Sequence, residues 1–180
     1  MESGEVFTIG HSNVVSNRII ELLMARKIDV VIDIRSVPYS RFSPQFNKNA
    51  FAEQLKSNKI AYIFEGERLG GRISDPLCYK NNCLPTRKRN IAELVNYEKL
   101  VVCSWYQEGV GVILENLREK NVAIMCSEEN PLRCHRNLLV ARTLTDMGIK
   151  VWHIRHNGEL ESACPVEKCI NWEQLQLRDE

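Results

Sequence analysis

The sequence predicts a single three-layer α/β domain over residues 1–180, a mostly parallel sheet with helices on both faces. Three observations predict it. Short β-branched apolar runs recur along the chain, stretches with apolar residues at helical spacing separate them, and polar residues capable of chemistry come after the runs repeatedly. Strands buried on both faces of a parallel sheet read as nearly unbroken apolar runs, and right-handed crossovers lay the helices over both faces. A chain of 180 residues with 44% apolar content is enough for one domain with a core of its own.

Val6-Phe7-Thr8-Ile9 is a first strand stopped by Gly10, and after Ser16, a fair cap, Ile19, Ile20, Leu22 and Leu23 make a helical stripe. Asp29 to Ile34 is a second strand ending at Arg35-Ser36. Val37 to Phe46 holds Pro38 and Pro44 and reads as an ordered loop; Asn47 then caps a helix whose Phe51 and Leu55 lie four apart. A third strand at Ile60 to Phe64 runs into Glu67-Arg68-Leu69-Gly70-Gly71-Arg72. Residues 73–98 form an irregular excursion, with Pro76, Asn81-Asn82, Pro85, the basic run Arg87-Lys88-Arg89 and a short helix around Ile91 to Val95. Leu100 to Cys103 fits a strand or the start of a helix. Val110, Ile113, Leu114 and Leu117 mark a helix before the strand at Val122 to Met125. A further helix, Asn137 to Met147, and the strand Val151 to Ile154 complete the pattern.

Formal charge is only +1, from 24 basic and 23 acidic residues, so any attraction for anions has to be local. Met1-Glu2-Ser3-Gly4-Glu5 lacks the pattern of a signal peptide, and no apolar run approaches the ~20 residues of a membrane helix. The expectation is a cytoplasmic protein with no membrane partner. Seven cysteines, an odd number, fit reduced or reactive thiols better than a disulfide framework.

The residues just past the strand ends carry the functional argument. They are His11-Ser12-Asn13, then Arg35-Ser36 and Arg41, then Gly70-Gly71-Arg72, then Cys126, Glu128, Cys134, His135 and Arg136, then His153. Parallel strands present their carboxyl ends on one edge, which gathers these groups. Arg35, Arg41, Arg72 and Arg136 offer guanidinium forks that match phosphate or carboxylate oxygens, unless each is spent on a neighbouring acid such as Asp33, Glu65 or Glu67. Gly70 and Gly71 can add backbone amides, and His11 and His153 are candidate phosphate ligands or proton carriers, although a lone histidine is more often structural.

Cys126 and Cys134 sit at or near a helix start among arginine and histidine, where a thiol becomes a nucleophile, or else fill the core as small apolar groups. Glu128 is a candidate acid or base, or else, like Glu129, it merely suits the positive end of the following helix. Cys134 and His135, adjacent on a helix, would diverge by ~100°. A cysteine-phosphatase loop spaced C-x5-R places Leu132 where arginine is required, with Arg133 one residue late. Rhodanese-like sulfur transfer is permitted by the pattern but not demanded. The pairs Cys78-x4-Cys83 and Cys164-x4-Cys169 are a weak zinc pattern, far apart and wider than the common spacing of two. No metal is assigned to the site and no cofactor is expected.

His11-Ser12-Asn13, Asp33-Ile34-Arg35-Ser36 with Pro38, Ser40-Arg41, Pro44-Gln45-Phe46-Asn47, Leu69-Gly70-Gly71-Arg72 and Met125 to Arg136 together resemble the domain-of-unknown-function family numbered 488, from Val6 to Ile154. The resemblance implies a cytosolic α/β protein with these residues in one pocket, and it supplies no reaction. The reading is an enzyme, a hydrolase or a transferase, that binds an anionic phosphate-bearing substrate, a nucleotide or nucleic-acid end. Cys126, Glu128, Cys134 and His135 would do the chemistry; His11, Ser12, Asn13, Arg35, Arg41, Gly70, Gly71, Arg72, Arg136 and His153 would bind. The alternatives are a non-catalytic nucleic-acid or phosphate-binding module and a thiol redox or sulfur-transfer protein.

Overall fold

The structure, a computed structural model, describes residues 4–86 and 91–163. Among these described residues, six strands form one mixed sheet in the order β3-β2-β4-β1-β5-β6: β1 Glu5–Gly10, β2 Val30–Asp33, β3 Ala61–Phe64, β4 Val122–Cys126, β5 Lys150–Ile154 and β6 Leu160–Ser162. All neighbours run parallel except β6, which returns antiparallel along β5. That short edge strand was not expected from the sequence, because Leu160-Glu161-Ser162 carries one apolar residue and no β-branched one.

Alternation within the strands divides the core into two faces. Val30 and Ile32 of β2 and Val122, Ile124 and Cys126 of β4 face one side, where they pack with Leu69, Leu100, Ile113, Leu139 and Leu144. Val31, Ala123 and Met125 face the other and meet Ile19, Leu23, Phe51 and Leu55. Helices α1 Ser16–Ala25 and α2 Lys48–Ser57 therefore cover the second face. The first is covered by α3 Gly66–Leu69, α4 Tyr97–Val101, α5 Ser104–Leu117 and the helical segment that ends in α6 Arg142–Asp146. These are the three layers read from the sequence. Burying one such aliphatic side chain contributes roughly 1.5–3 kcal/mol, so Ile124→Ala at the centre of the sheet is a disruptive change.

One open choice is decided locally, and two features differ from expectation. Of the two forms left open for Leu100 to Cys103 no strand forms: Leu100 and Val101 close α4, which Asn96 caps through Lys99 N–H, and Cys103 leads into α5. The short helix at Ile91 is a 3₁₀ turn, Ile91–Leu94. The helix after β4 opens as a π-helical segment, Arg136–Ala141, before tightening into α6. Such segments are rare and concentrate at functional sites. Among the described residues, no helix is long and apolar enough to cross a membrane.

Register sets the carboxyl ends level, with Gly10 beside Cys126 and Asp33 beside Met125. The chain leaves β2 for β3 through α2 on one face and leaves β4 for β5 through α6 on the other. Adjacent strands whose connections depart in opposite directions open a crevice at their carboxyl ends, the usual ligand position in such sheets.

Candidate functional site

The loops that leave β2 and β4 line this crevice. A cavity of about 390 Å³ is bounded by Arg35, Ser36, Val37, Gly71, Arg72, Ile91, Ser127, Glu128, Arg133, Cys134 and His135. A second of about 340 Å³ shares Arg35, Val37, Ser127 and Glu128 with it and extends to His11, Ser12, Tyr39, Ser40 and Ser43.

The loop after β4 is held from within. Asn130 accepts from Leu132 N–H and Pro131 opens a 3₁₀ turn, Pro131–Arg133, after which Cys134 is extended and His135 begins the helix. Arg136 is fully buried. Its guanidinium donates to the Glu128 carbonyl and, at 2.6 Å, to the Glu129 carbonyl. It also lies 3.8 Å from Cys126 Sγ, while its backbone N–H points at Cys134 Sγ from 3.5 Å. No carboxylate pairs with it among the described residues. Gly10 must be glycine here, because a Cβ would overlap the Glu128 backbone and the Arg136 guanidinium.

Four of the expected residues meet here, Glu128, Cys134 and His135 lining the cavity and Cys126 buried behind them. Cys126 and Cys134, eight residues apart, bring their Sγ atoms to 2.6 Å, and Glu128 Oε2 accepts from both, at 3.1 and 3.4 Å. Burial acts to raise the Glu128 pKa, but those thiol hydrogen bonds, a backbone N–H and the nearby His135 outweigh it and hold the carboxyl below its ordinary value. Cys134 is pushed well above the usual thiol range by burial and by the neighbouring Cys126. His135 has a fixed tautomer: Ile34 O can only accept, so Nε2–H donates to it at 3.0 Å, and Nδ1 keeps a lone pair 3.9 Å from Cys134 Sγ. Burial lowers its pKa. Gly71 lets the chain lie flat on that ring, since a Cβ would sit 2.9 Å from the imidazole.

The remaining expected residues separate. Arg35 grips Asp33 through three guanidinium contacts of 2.6–3.1 Å, and Tyr62 donates to the same carboxylate at 2.6 Å. Its Nη1 donates to His11 Nε2 at 3.1 Å, so His11 carries its proton on Nδ1 and donates to Ser12 O at 2.7 Å. Burial, reinforced by the Arg35 charge, lowers the His11 pKa to about 4. His11 stacks on Phe46. Ser12, at φ 47°, borders the second cavity, and Asn13 is exposed outside it.

Arg41 is exposed and lines neither cavity, and Arg136 faces inward. His153 lies inside the sheet, accepting from Thr8 and donating to Asn137 Oδ1 at 2.9 Å, and burial takes its pKa down to about 3. Gly70 is crowded by Ser36, whose hydroxyl accepts Arg72 N–H. Arg72 remains at the rim, exposed, and its side chain has no ion-pair partner among the described residues.

Sequence reasoning passed over Arg133, which it met only as a misplaced phosphatase arginine; it is exposed at the same rim, also without an ion-pair partner among the described residues. Ser36, met at the end of the second strand, was given no role of its own; Ser127 and Tyr39 were passed over, and no spacing signal marks them. Glu129 pairs with Arg155 at 2.8 Å instead of favouring a helix start. Of the wider cysteines, Cys78 contacts Cys103 at 3.7 Å and Cys83 is exposed. Cys164, Cys169 and the run Arg87-Lys88-Arg89 lie outside the described residues.

A family model described as "Domain of unknown function DUF488" matches residues 16–143, more than half of the chain. No curated protein and no solved structure matches it.

Proposed function

The chain belongs to the DUF488 family, and from that premise we propose that it is an enzyme, a hydrolase or transferase, acting on an anionic phosphate-bearing substrate such as a nucleotide or nucleic-acid end. One observation carries the reading. Two exposed arginines without ion-pair partners among the described residues, Arg72 and Arg133, stand at the rim of a cavity whose floor holds Cys134, Glu128 and His135. Guanidinium pairs hold phosphate oxygens, and the groups beneath are those that attack, coordinate or move protons. Tyr39, 66% exposed on the adjoining cavity, offers a face on which a base can stack. Arg35 shapes the wall between the cavities rather than serving as a free anion ligand, because Asp33 and His11 occupy its donors. Five described cysteines are free thiols, which suits a reducing, cytoplasmic setting.

The test is a thermal-shift and calorimetric titration with inorganic phosphate and nucleoside monophosphates. A saturable single site is expected, with affinity lowered about ten-fold by Arg72→Ala and by Arg133→Ala. Unchanged affinity in both variants overturns the reading. Binding that appears only with long oligonucleotides and collapses as salt rises favours a backbone-binding module instead.

A second reading, thiol redox or sulfur transfer, is favoured by the 2.6 Å approach of Cys126 and Cys134. It predicts a reversible disulfide between them or a persulfide on one, either visible by mass spectrometry.

A further inference from the structure

We propose that Cys126 Sγ, Cys134 Sγ and His135 Nδ1 bind a zinc ion, with Glu128 as a displaceable fourth ligand on the cavity side. Ligand exchange at that fourth position rests on the anion-pocket reading; metal binding itself does not.

Four observations carry it. The four ligand atoms lie within 4.8 Å of one another, the donor set of a soft divalent site. Around a tetrahedral zinc, neighbouring ligand atoms sit roughly 3.5–3.8 Å apart. The Cys126–Glu128, Cys134–Glu128 and Cys134–His135 separations of 3.1, 3.4 and 3.9 Å fall within about 0.5 Å of that range. The two sulfurs, at 2.6 Å, have to part by about 1 Å, a small side-chain rotation.

The second observation is the orientation of His135. Its Nε2–H is fixed on the Ile34 carbonyl, which leaves the Nδ1 lone pair toward Cys134. A histidine that donates its other ring N–H to a backbone carbonyl is the usual arrangement around a metal.

The third is charge. Arg136 is a fully buried cation that meets carbonyl groups and sulfurs but no carboxylate among the described residues. With zinc in place, the charges of metal and arginine are balanced by two thiolates and the Glu128 carboxylate. The Arg136 backbone and guanidinium N–H groups then face sulfurs that carry negative charge.

The fourth is asymmetry of exposure. Both cysteines are at most 1% exposed, whereas Glu128 is exposed and borders both cavities. The thiolates and imidazole form a fixed inner wall, and the carboxylate is the ligand that can turn away. Its place then opens toward Arg72 and Arg133, so a phosphate oxygen held between them reaches the metal. With water there, Glu128 stands beside it as a proton acceptor.

This assignment differs from the Cys78, Cys83, Cys164 and Cys169 set considered from sequence. The Cys126-x7-Cys134-His135 spacing matches no common zinc pattern, and an extended Cys134 after the Pro131 turn is what brings the two thiols together.

Protein purified anaerobically without chelator, or apoprotein titrated with Zn²⁺ against a chromophoric chelator, is expected to hold one zinc per chain. Cys126→Ser, Cys134→Ser and His135→Ala each should weaken it by more than the roughly 10- to 100-fold that loss of an outer-shell partner costs, while Cys83→Ser leaves it unchanged. Because buried-cysteine variants can unfold, the wild-type chain loaded with Co²⁺ supplies a second readout, a tetrahedral spectrum with thiolate-to-cobalt charge transfer. Inorganic phosphate should shift that spectrum, and the shift should vanish in Arg72→Ala/Arg133→Ala.

A reduced apoprotein that takes up no metal, an octahedral cobalt spectrum without a thiolate band, or zinc retained at full affinity in the Cys126 and Cys134 variants overturns the site. A cobalt spectrum indifferent to phosphate overturns the exchangeable fourth position. A protein that binds phosphate but takes up no zinc leaves the pocket reading standing and removes the metal, whereas one that binds zinc but no phosphate does the reverse.

Discussion

Two clusters of ionisable residues lie side by side at the carboxyl ends of β2 and β4, and they differ in how completely they are satisfied. In the Asp33, Arg35, His11 and Tyr62 cluster, the Asp33 carboxylate takes donors from Arg35 and Tyr62, Arg35 reaches on to His11, and both His11 nitrogens are engaged. In the Cys126, Glu128, Cys134 and His135 cluster, the two thiols crowd one carboxylate oxygen, and an imidazole nitrogen has only a long contact of 3.9 Å to a sulfur that it shares with that oxygen. Residue types alone make both look like active sites. A saturated network spends its chemistry on holding the fold, and an unsaturated one keeps it for a ligand.

The largest effect expected from this difference is at Asp33. Asp33→Ala leaves Arg35 buried without its counter-charge, and removing one partner of a buried pair costs about 3–5 kcal/mol. Urea denaturation should show that loss; a change below about 1 kcal/mol would place Asp33 outside the structural network. Glu128→Gln is the counterpart in the other cluster. Its amide oxygen can still accept from the two thiols, so the change should cost only about 1 kcal/mol, the net worth of a hydrogen bond, while removing turnover once a substrate is in hand. Full turnover in the Glu128→Gln variant would deny the carboxylate a part in the chemistry.

Next in size is acid sensitivity. His11 and His153, with pKa values lowered to about 4 and about 3, stay neutral when folded, whereas unfolded histidine takes a proton near 6.5. The unfolded chain therefore binds more protons as pH falls below 6.5, and stability should decline through pH 6 to 4 by up to about 1.4 kcal/mol per unit for each histidine. His153→Gln should flatten the stability profile over that range. An unaltered slope would mean that His153 is not held neutral by the interior.

The smallest effect concerns Gly71. Gly71→Ala brings a Cβ to 2.9 Å from the His135 ring and should tilt the imidazole at a cost of about 1 kcal/mol. Its NMR signature is a shift of the His135 ring resonances with the rest of the spectrum in place.

The layered fold was legible because β-branched runs and helical stripes report burial directly, as Val30 to Asp33 and Ile19 to Leu23 do. The level edge of the sheet was legible for the same reason, and with it the meeting of Cys126, Glu128, Cys134 and His135. What did not read through was the direction each side chain takes. Arg35, Arg72 and Arg136 are alike in sequence, yet one is bound to Asp33, one is exposed and one is fully buried. The partners are close in sequence, Asp33 two residues before Arg35 and the Glu128 and Glu129 carbonyls eight and seven before Arg136, but only the folded path of the loops decides which arginine turns toward such a neighbour. The π-helical start at Arg136 was hidden as well, because its apolar residues fit an ordinary helix almost equally well. Arg133 was missed because its exposure comes from the turn at Pro131, which composition locates but does not orient.

The most direct test is a crystal structure with a nucleoside monophosphate bound. The account predicts its phosphate between Arg72 and Arg133, above Cys134, with the Asp33 and Arg35 pair undisturbed beside it. A phosphate held by Arg35 after its separation from Asp33, or a ligand seated away from the 390 Å³ cavity, would contradict it.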